Sequence, residues 1–141
     1  PITSDGIVYL TNQFVAEETA DLDEDPAGAS SLLRFQRLQQ LLEPDGADSL
    51  YGNLDPEGLI RVLRDRVNPV TGLESPADTF NDDLSLATNG SLYQVIFEPE
   101  RGLFWVAAGE LPVPQQPYVG FSLGELLGRE DATPVVPPQY P

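Results

Sequence analysis

A chain of 141 residues, 40% of them hydrophobic, is long enough for one folded domain, and we expect neither a membrane-spanning helix nor a signal peptide in it. Its 23 acidic residues against seven basic ones give a formal charge of −16, which repels nucleic acids and anionic membranes and disfavours both as partners. The absence of cysteine and histidine excludes disulfides, the common zinc sites, cysteine nucleophiles and histidine-based triads from within this chain.

The first element predicted along the chain is a strand. The stretch GIVYLT, from Gly6, places β-branched and aromatic residues directly after a Ser-Asp-Gly turn signal. It ends in a Thr-Asn pair, and asparagine is a poor strand residue. Asn12 is therefore either an ordinary amide at the end of a strand or a side chain that points into a site.

The acidic segment AEETADLDEDPAG that follows predicts a loop. Asp21, Asp23 and Asp25 alternate in it as the ligands of a calcium loop do. Such loops need a glycine at the sixth position and a glutamate at the twelfth, where this chain has Pro26 and Leu32. We favour a solvated acidic loop over a cation site, and we expect no metal and no cofactor.

Two helices are predicted next. SSLLRFQRLQQLLEPDG, from Ser30, has apolar residues at helical spacing, a serine as candidate N-cap, and a Pro-Asp-Gly stop. In LDPEGLIRVLRDRVNP, Asp55 is the expected N-cap, Pro56 takes the first helical position, and Asn68 with its following proline ends the helix. The sequence places Arg61, Arg64, Asp65 and Arg66 on the outward side of this second helix.

Arg34 and Arg37 lie one turn apart on the first helix, among apolar residues. The simplest interpretation is that both extend along the helix surface, with their stems covering apolar area. An arginine held partly buried there would need an anion or a carbonyl as partner, and it could bind a carboxylate or polarise a reacting group.

SLYQVIFEPERGLFWVAAG predicts a hairpin, with strands over 92–97 and 103–108 joined by the turn residues EPERG. Both strands are apolar at nearly every position, which is typical of a sheet covered on both faces. Two helices can cover only one face. The sequence therefore indicates that a partner, or a missing part of the parent protein, covers the other. The proline-rich end TPVVPPQYP is expected to be extended and, if ordered, to dock on the domain.

Four stretches together resemble the cholylglycine-hydrolase and isopenicillin-N-acyltransferase branch of the N-terminal-nucleophile (Ntn) hydrolases. Its acyltransferase members have, in the same order, a TNHF strand end, an SS..R...L..LL helix, an L.DH.N.P helix end and a final hairpin that leads into G.P. The matching stretches here are YLTNQF at 9–14, SSLLRFQRL at 30–38, LIRVLRDRVNPVTG at 59–72 and SLYQVIFEPERGLFWVAAGELP at 91–112.

The resemblance implies an α+β fold, an αββα sandwich of which residues 1–128 are the C-terminal half, with 129–141 as an extended tail. The family's nucleophile is a cysteine exposed at a new N-terminus by autocatalytic cleavage, whose own amine acts as the base. That cysteine is not in this chain. The resemblance gives Asn12 a role in the oxyanion hole and Arg34 a place beside the nucleophile. Gln13 and Arg66 replace two histidines of the family pattern, so the resemblance does not extend to substrate specificity.

Two hypotheses follow for function. In the first, this chain is the C-terminal part of an amidohydrolase or acyltransferase that acts on a linear amide of a small molecule, with the nucleophile supplied by an N-terminal chain of the same precursor or complex. In the second, it is a non-catalytic structural or binding module on the same fold, packed into a larger assembly. The sequence leaves the compartment open.

Overall fold

The computed structural model describes residues 6–12, 29–134 and 139–141. It is a small α+β domain. The helices are α1 (Ala29–Leu42), α2 (Pro56–Leu63) and the single turn α3 (Leu123–Leu126), and the strands are β1 (Tyr93–Glu98), β2 (Leu103–Ala108), β3 (Tyr118–Ser122) and β4 (Gln139–Tyr140). No helix in these ranges is long and apolar enough to cross a membrane.

The strands form one antiparallel sheet in the order β1-β2-β3-β4. The predicted hairpin is confirmed: Tyr93 pairs with Ala108 and Glu98 with Leu103. A 3-10 turn over 99–101 joins the two strands and ends at Gly102, whose φ of 64° lies in the left-handed region that favours glycine. The two residues of β4 pair with β3, so the extended end of the chain docks on the sheet.

Helix α2 begins as its sequence predicts. The carboxylate of Asp55 accepts a 2.8 Å hydrogen bond from the Gly58 amide, and Pro56 fills the first helical position, where no amide proton is needed. The helix ends at Leu63, earlier than the predicted stop at Asn68. Arg64 has already left helical geometry, with φ −100° and ψ 3°, so the residues after it belong to a connecting loop.

Helix α1 is confirmed over 29–42, but the serine cap is not. Because the helix already begins at Ala29, Ser30 lies in its first turn. Its hydroxyl instead donates a 2.7 Å hydrogen bond to the backbone carbonyl of Asp83. That bond ties the start of α1 to the long connection between α2 and β1, which is packed against the domain through the buried side chains of Phe80 and Ala87.

The strand predicted from Gly6 is wrong for the described residues 6–12. Only Val8 there forms a bridge, and the remainder is irregular. Tyr9 instead packs on Phe35 of α1, with ring centroids 5.1 Å apart, and its hydroxyl pairs with the carboxylate of Glu43. A strand requires backbone pairing along its length, and within the described residues 6–12 only Val8 has such a pairing, while Tyr9 packs on α1.

Two apolar clusters meet at α2. Ile60 packs with the sheet residues Ile96 and Trp105, while Val62 packs with Tyr9 and with Leu41 of α1. Helix α2 therefore separates the sheet from α1 and the 6–12 segment. The core of the domain lies on one face of the sheet only.

Within the described residues no second layer packs over the other face of the sheet, so its predicted cover, a partner or a missing part of the parent protein, stays a prediction. We call this surface the open sheet face. In the strand register its residues lie side by side across three strands, and Phe104 stacks on Phe121 with centroids 5.2 Å apart. All are apolar and exposed or half-buried: Tyr93, Val95, Phe97, Phe104, Val106, Ala108, Val119 and Phe121.

Replacing Tyr118 by phenylalanine is expected to lower the free energy of unfolding by about 1–3 kcal/mol at neutral pH. The buried Tyr118 hydroxyl donates a 2.6 Å hydrogen bond to Oε1 of Gln94, and Nε2 of Gln94 donates to the Leu63 carbonyl at 2.7 Å. The variant would leave the buried Gln94 oxygen without a donor. Chemical denaturation measures the change, and equal stabilities would contradict this role of the hydroxyl.

The same variant has a pH signature. Burial raises the pKa of Tyr118 to about 12, partly offset by the charge of Arg64. Because the unfolded chain ionises at about pH 10, the stability that depends on neutral Tyr118 is complete below pH 10 and is lost as the pH rises towards 12. Denaturation between pH 9 and 12 should therefore show a shallower decline in the variant.

Candidate functional site

The two side chains that the sequence singled out are in contact. Nη2 of Arg34, on the first turns of α1, donates a 2.9 Å hydrogen bond to Oδ1 of Asn12. The segment that carries Asn12 is held against α1 by the packing of Tyr9 on Phe35. Arg34 is half-buried, whereas Asn12 is exposed. A residue from the 6–12 segment and one from the helix thus form a single polar site.

The hydrogen bond determines what Asn12 can offer a ligand. An arginine can only donate, so it must meet the amide oxygen and not the amide nitrogen. Nδ2 of Asn12 makes no hydrogen bond within the described residues and remains a free donor. An exposed amide N–H that is oriented in this way can stabilise negative charge on a reacting carbonyl oxygen.

Unsatisfied donors gather around this contact. Among the described residues, six buried side-chain atoms have no hydrogen-bond partner, and three of them are Oγ1 of Thr11, Oγ of Ser31 and Nε of Arg34. Thr11 adjoins Asn12, and Ser31 lies one turn before Arg34 on the helix. Buried polar groups are normally paired. All three atoms can donate, so the group that would satisfy them is an acceptor, such as a carboxylate or a carbonyl.

Within the described residues, Arg34 also has no carboxylate partner. Five of the seven arginines pair with a carboxylate; within the described residues only Arg34 and Arg64 do not. In a chain with 23 acidic residues, a half-buried arginine without an acidic partner is unexpected. Arg34 therefore remains available to a negative group from outside the described residues.

Arg37, one turn further along α1, has a structural role. Its guanidinium binds both carboxylate oxygens of Asp65, with Nε to Oδ1 at 2.9 Å and Nη2 to Oδ2 at 2.6 Å, and its Nη1 pairs with Asp48. The hydrogen bond to Asp65 is the main reason that the pKa of Arg37 rises above its ordinary value. The side chains of Arg37 and Asp65 are only 5% and 10% exposed, so the sequence interpretation that both point outward is wrong.

A cavity of about 550 Å³, which the sequence patterns did not predict, lies beside the end of α2; we call it the arginine cavity. Its lining includes Arg61, Arg64 and Arg66, with Glu57, Glu74 and Tyr140. The signal was visible as three arginines within six positions, RVLRDR. It was interpreted as a solvated helix face because the predicted helix was drawn too long.

Metal chemistry has no support in the described ranges, where no group of three or more carboxylates could hold a metal ion. Asp21, Asp23 and Asp25 lie outside the described residues, as does Gln13. Arg66 donates to the Ser75 carbonyl at 2.8 Å and pairs with Glu74 at 2.7 Å. Its role in the described structure is to hold the loop that follows α2.

The site and the open sheet face lie on different sides of the molecule. Asn12 and Arg34 belong to the α1 side of α2, whereas the open sheet face is the surface of the sheet that is turned away from α2. Any partner that covers the sheet and also supplies a group to Asn12 must extend around the domain.

Comparison of this chain with protein-family models, with characterised proteins and with solved structures finds no match.

Proposed function

We propose that this chain is the C-terminal part of an Ntn-type amidohydrolase or acyltransferase that cleaves a linear amide, with the nucleophile on a chain from the same precursor or complex. The contact between Arg34 and Asn12 is the observation that carries the proposal. The resemblance assigns both residues to one active site although they lie 22 positions apart in the sequence. Their hydrogen bond brings the two side chains together, which supports the proposal.

The chemistry assigns this chain a supporting role. The partner's N-terminal cysteine, or serine, attacks the amide carbonyl, and its own α-amine takes up the proton. Negative charge develops on the carbonyl oxygen, where Nδ2 of Asn12 donates a hydrogen bond and Arg34 holds the amide in that orientation. The amine leaves with the proton, and water or an acceptor amine then attacks the acyl-enzyme.

The open sheet face supplies the surface on which the partner would pack. Its eight residues are apolar and carry no charge, and an exposed apolar patch of that extent marks an interaction site in soluble proteins. We assign its occupant as the second β-sheet of an αββα sandwich, contributed by the nucleophile-bearing part. Stacked sheets pack about 10 Å apart through such apolar side chains.

A lysine at position 97 tests this assignment. Phe97 lies on the open sheet face and is 67% exposed, so Phe97→Lys should leave the domain folded. Covering that lysine with a second sheet would cost several kcal/mol. In material expressed from the full precursor, the variant should lose the partner chain on size-exclusion chromatography. Leu73→Lys is the matched control, since Leu73 is 70% exposed but lies in the loop after α2. Equal retention of the partner in both variants would contradict the sandwich.

A non-catalytic binding module is the second candidate. It is favoured by the separation of the Asn12 site from the open sheet face, because a partner packed on that face alone would leave Asn12 uncovered. In that case the open sheet face mediates assembly and the contact between Arg34 and Asn12 only fastens the 6–12 segment to α1. The two candidates differ in what Asn12 does for turnover.

A further inference from the structure

We propose that the arginine cavity binds a small organic anion through a carboxylate or phosphate group. Its volume of about 550 Å³ is in the range of small-molecule sites. Three of the chain's seven arginines line it together with three carboxylates. Those carboxylates pair with Arg37, Arg61 and Arg66. Among the described residues, Arg64 is therefore the lining arginine without a side-chain carboxylate partner. The inference is independent of the proposed function, because it uses neither Asn12 nor Arg34.

Arg64 is the principal anion-binding group. Its Nη1 donates to the Pro141 carbonyl at 2.7 Å and its Nη2 to the Gln116 carbonyl at 2.9 Å, while the guanidinium lies 5.2 Å from the ring centre of Tyr118. These contacts fix the orientation of the guanidinium, and none of them is with a side-chain carboxylate. A pre-oriented arginine loses little conformational entropy when it binds an oxyanion, and its planar fork matches the two oxygens of a carboxylate.

Arg61 and Arg66 are two further positively charged groups in the lining of the cavity. Arg61 pairs with Glu57 at 2.9 Å, and Arg66 pairs with Glu74 at 2.7 Å. Arg61 and both glutamates have side chains about 60% exposed, and ion pairs that are open to water contribute little free energy. Arg61 can therefore turn to a ligand at small cost, whereas Arg66 is also held by the Ser75 carbonyl.

Unpaired donors are present at this end of the domain as well. Nε of Arg64 and Oγ of Ser75 are buried and have no hydrogen-bond partner. Ser75 does not line the cavity itself; it follows Glu74, which does, and its carbonyl accepts a hydrogen bond from Arg66. A group with several acceptor oxygens would satisfy such donors, whereas a cation would not. Tyr140 provides an aromatic wall, which accommodates an organic body on the anion.

Titration calorimetry with inorganic phosphate and, separately, with succinate tests the inference, with ionic strength held constant by sodium chloride. We expect saturable 1:1 binding of at least one of them, and the stronger of the two identifies the anion class. Arg61→Gln should weaken that binding about tenfold, with an unchanged unfolding midpoint, because Arg61 contacts only the exposed Glu57.

Arg101→Gln is the matched control, since Arg101 forms an exposed ion pair with Glu98 outside the cavity. It removes the same charge from the chain and should leave the affinity within about twofold. Saturable binding that weakens in Arg61→Gln and not in Arg101→Gln supports the site. Absence of saturation with both anions, or equal weakening in the two variants, would overturn it.

Discussion

Replacement of Arg37 by alanine should lower the free energy of unfolding by about 3–5 kcal/mol. The substitution removes the partner of Asp65, whose side chain is only 10% exposed and accepts two hydrogen bonds from the guanidinium. The carboxylate would then stay buried without a counter-charge. Asp48 loses less, since its side chain is 57% exposed and water can replace the arginine.

Two further variants show whether burial is the cause. Arg61→Ala breaks an ion pair that is exposed on both sides and should cost at most about 1 kcal/mol. The double variant Arg37→Met with Asp65→Leu removes both buried charges and should recover most of the lost stability. Denaturation in urea compares all of them. A small loss in Arg37→Ala, similar to that in Arg61→Ala, would contradict the buried network.

Replacement of Asn12 by alanine should reduce the turnover of the assembled enzyme about a hundredfold or more, which corresponds to about 3 kcal/mol of transition-state stabilisation. The amide is exposed, and its only hydrogen bond among the described residues is the one to Arg34. The fold should therefore survive. Steady-state kinetics on an amide substrate, together with a denaturation curve, separates loss of catalysis from loss of structure.

Asn89→Ala is the control for this variant. Asn89 is also exposed, and only its backbone amide is hydrogen-bonded, to the Phe80 carbonyl at 2.8 Å. It should retain full turnover. An assembly in which Asn12→Ala is as active as Asn89→Ala would favour the non-catalytic module.

The sequence correctly predicted those elements whose stabilising interactions are between residues close together in the chain. The start of α2 follows from Asp55 and Pro56, whose cap and ring geometry act within one turn. The hairpin follows from two apolar runs around turn residues that include Gly102. In both cases the residues that make the structure are close neighbours in the chain, so the pattern is readable without knowledge of the fold.

Contacts between residues far apart in the sequence could not be predicted from local patterns. Arg37 binds Asp65, which lies 28 positions away in the sequence. The residues around each of them give no sign that these two charges are buried and paired and not solvated. The 6–12 segment has the composition of a strand, yet in the described structure it packs on α1 through Tyr9. Of the candidate site, the residue pair Asn12 and Arg34 was predictable only through the resemblance. The arginine cavity was not predicted, because Arg64 and Arg66 line it only when α2 ends at Leu63 and not at the predicted stop.

The apolar hairpin shows a third case. Its composition predicted a covered sheet, whereas the described residues form a core on one face. The apolar pattern of the strands predicts apolar packing on both faces of the sheet. The described residues supply that packing on one face. That difference is the physical basis for expecting a second sheet.

Intact-mass analysis of the native material, purified from its source, tests the central claim most directly. The account predicts a second polypeptide that remains bound to this chain and begins with cysteine, serine or threonine, as an autocatalytically exposed nucleophile must. Native material in which this chain is alone, monomeric and folded, with the open sheet face exposed to solvent, would contradict the account.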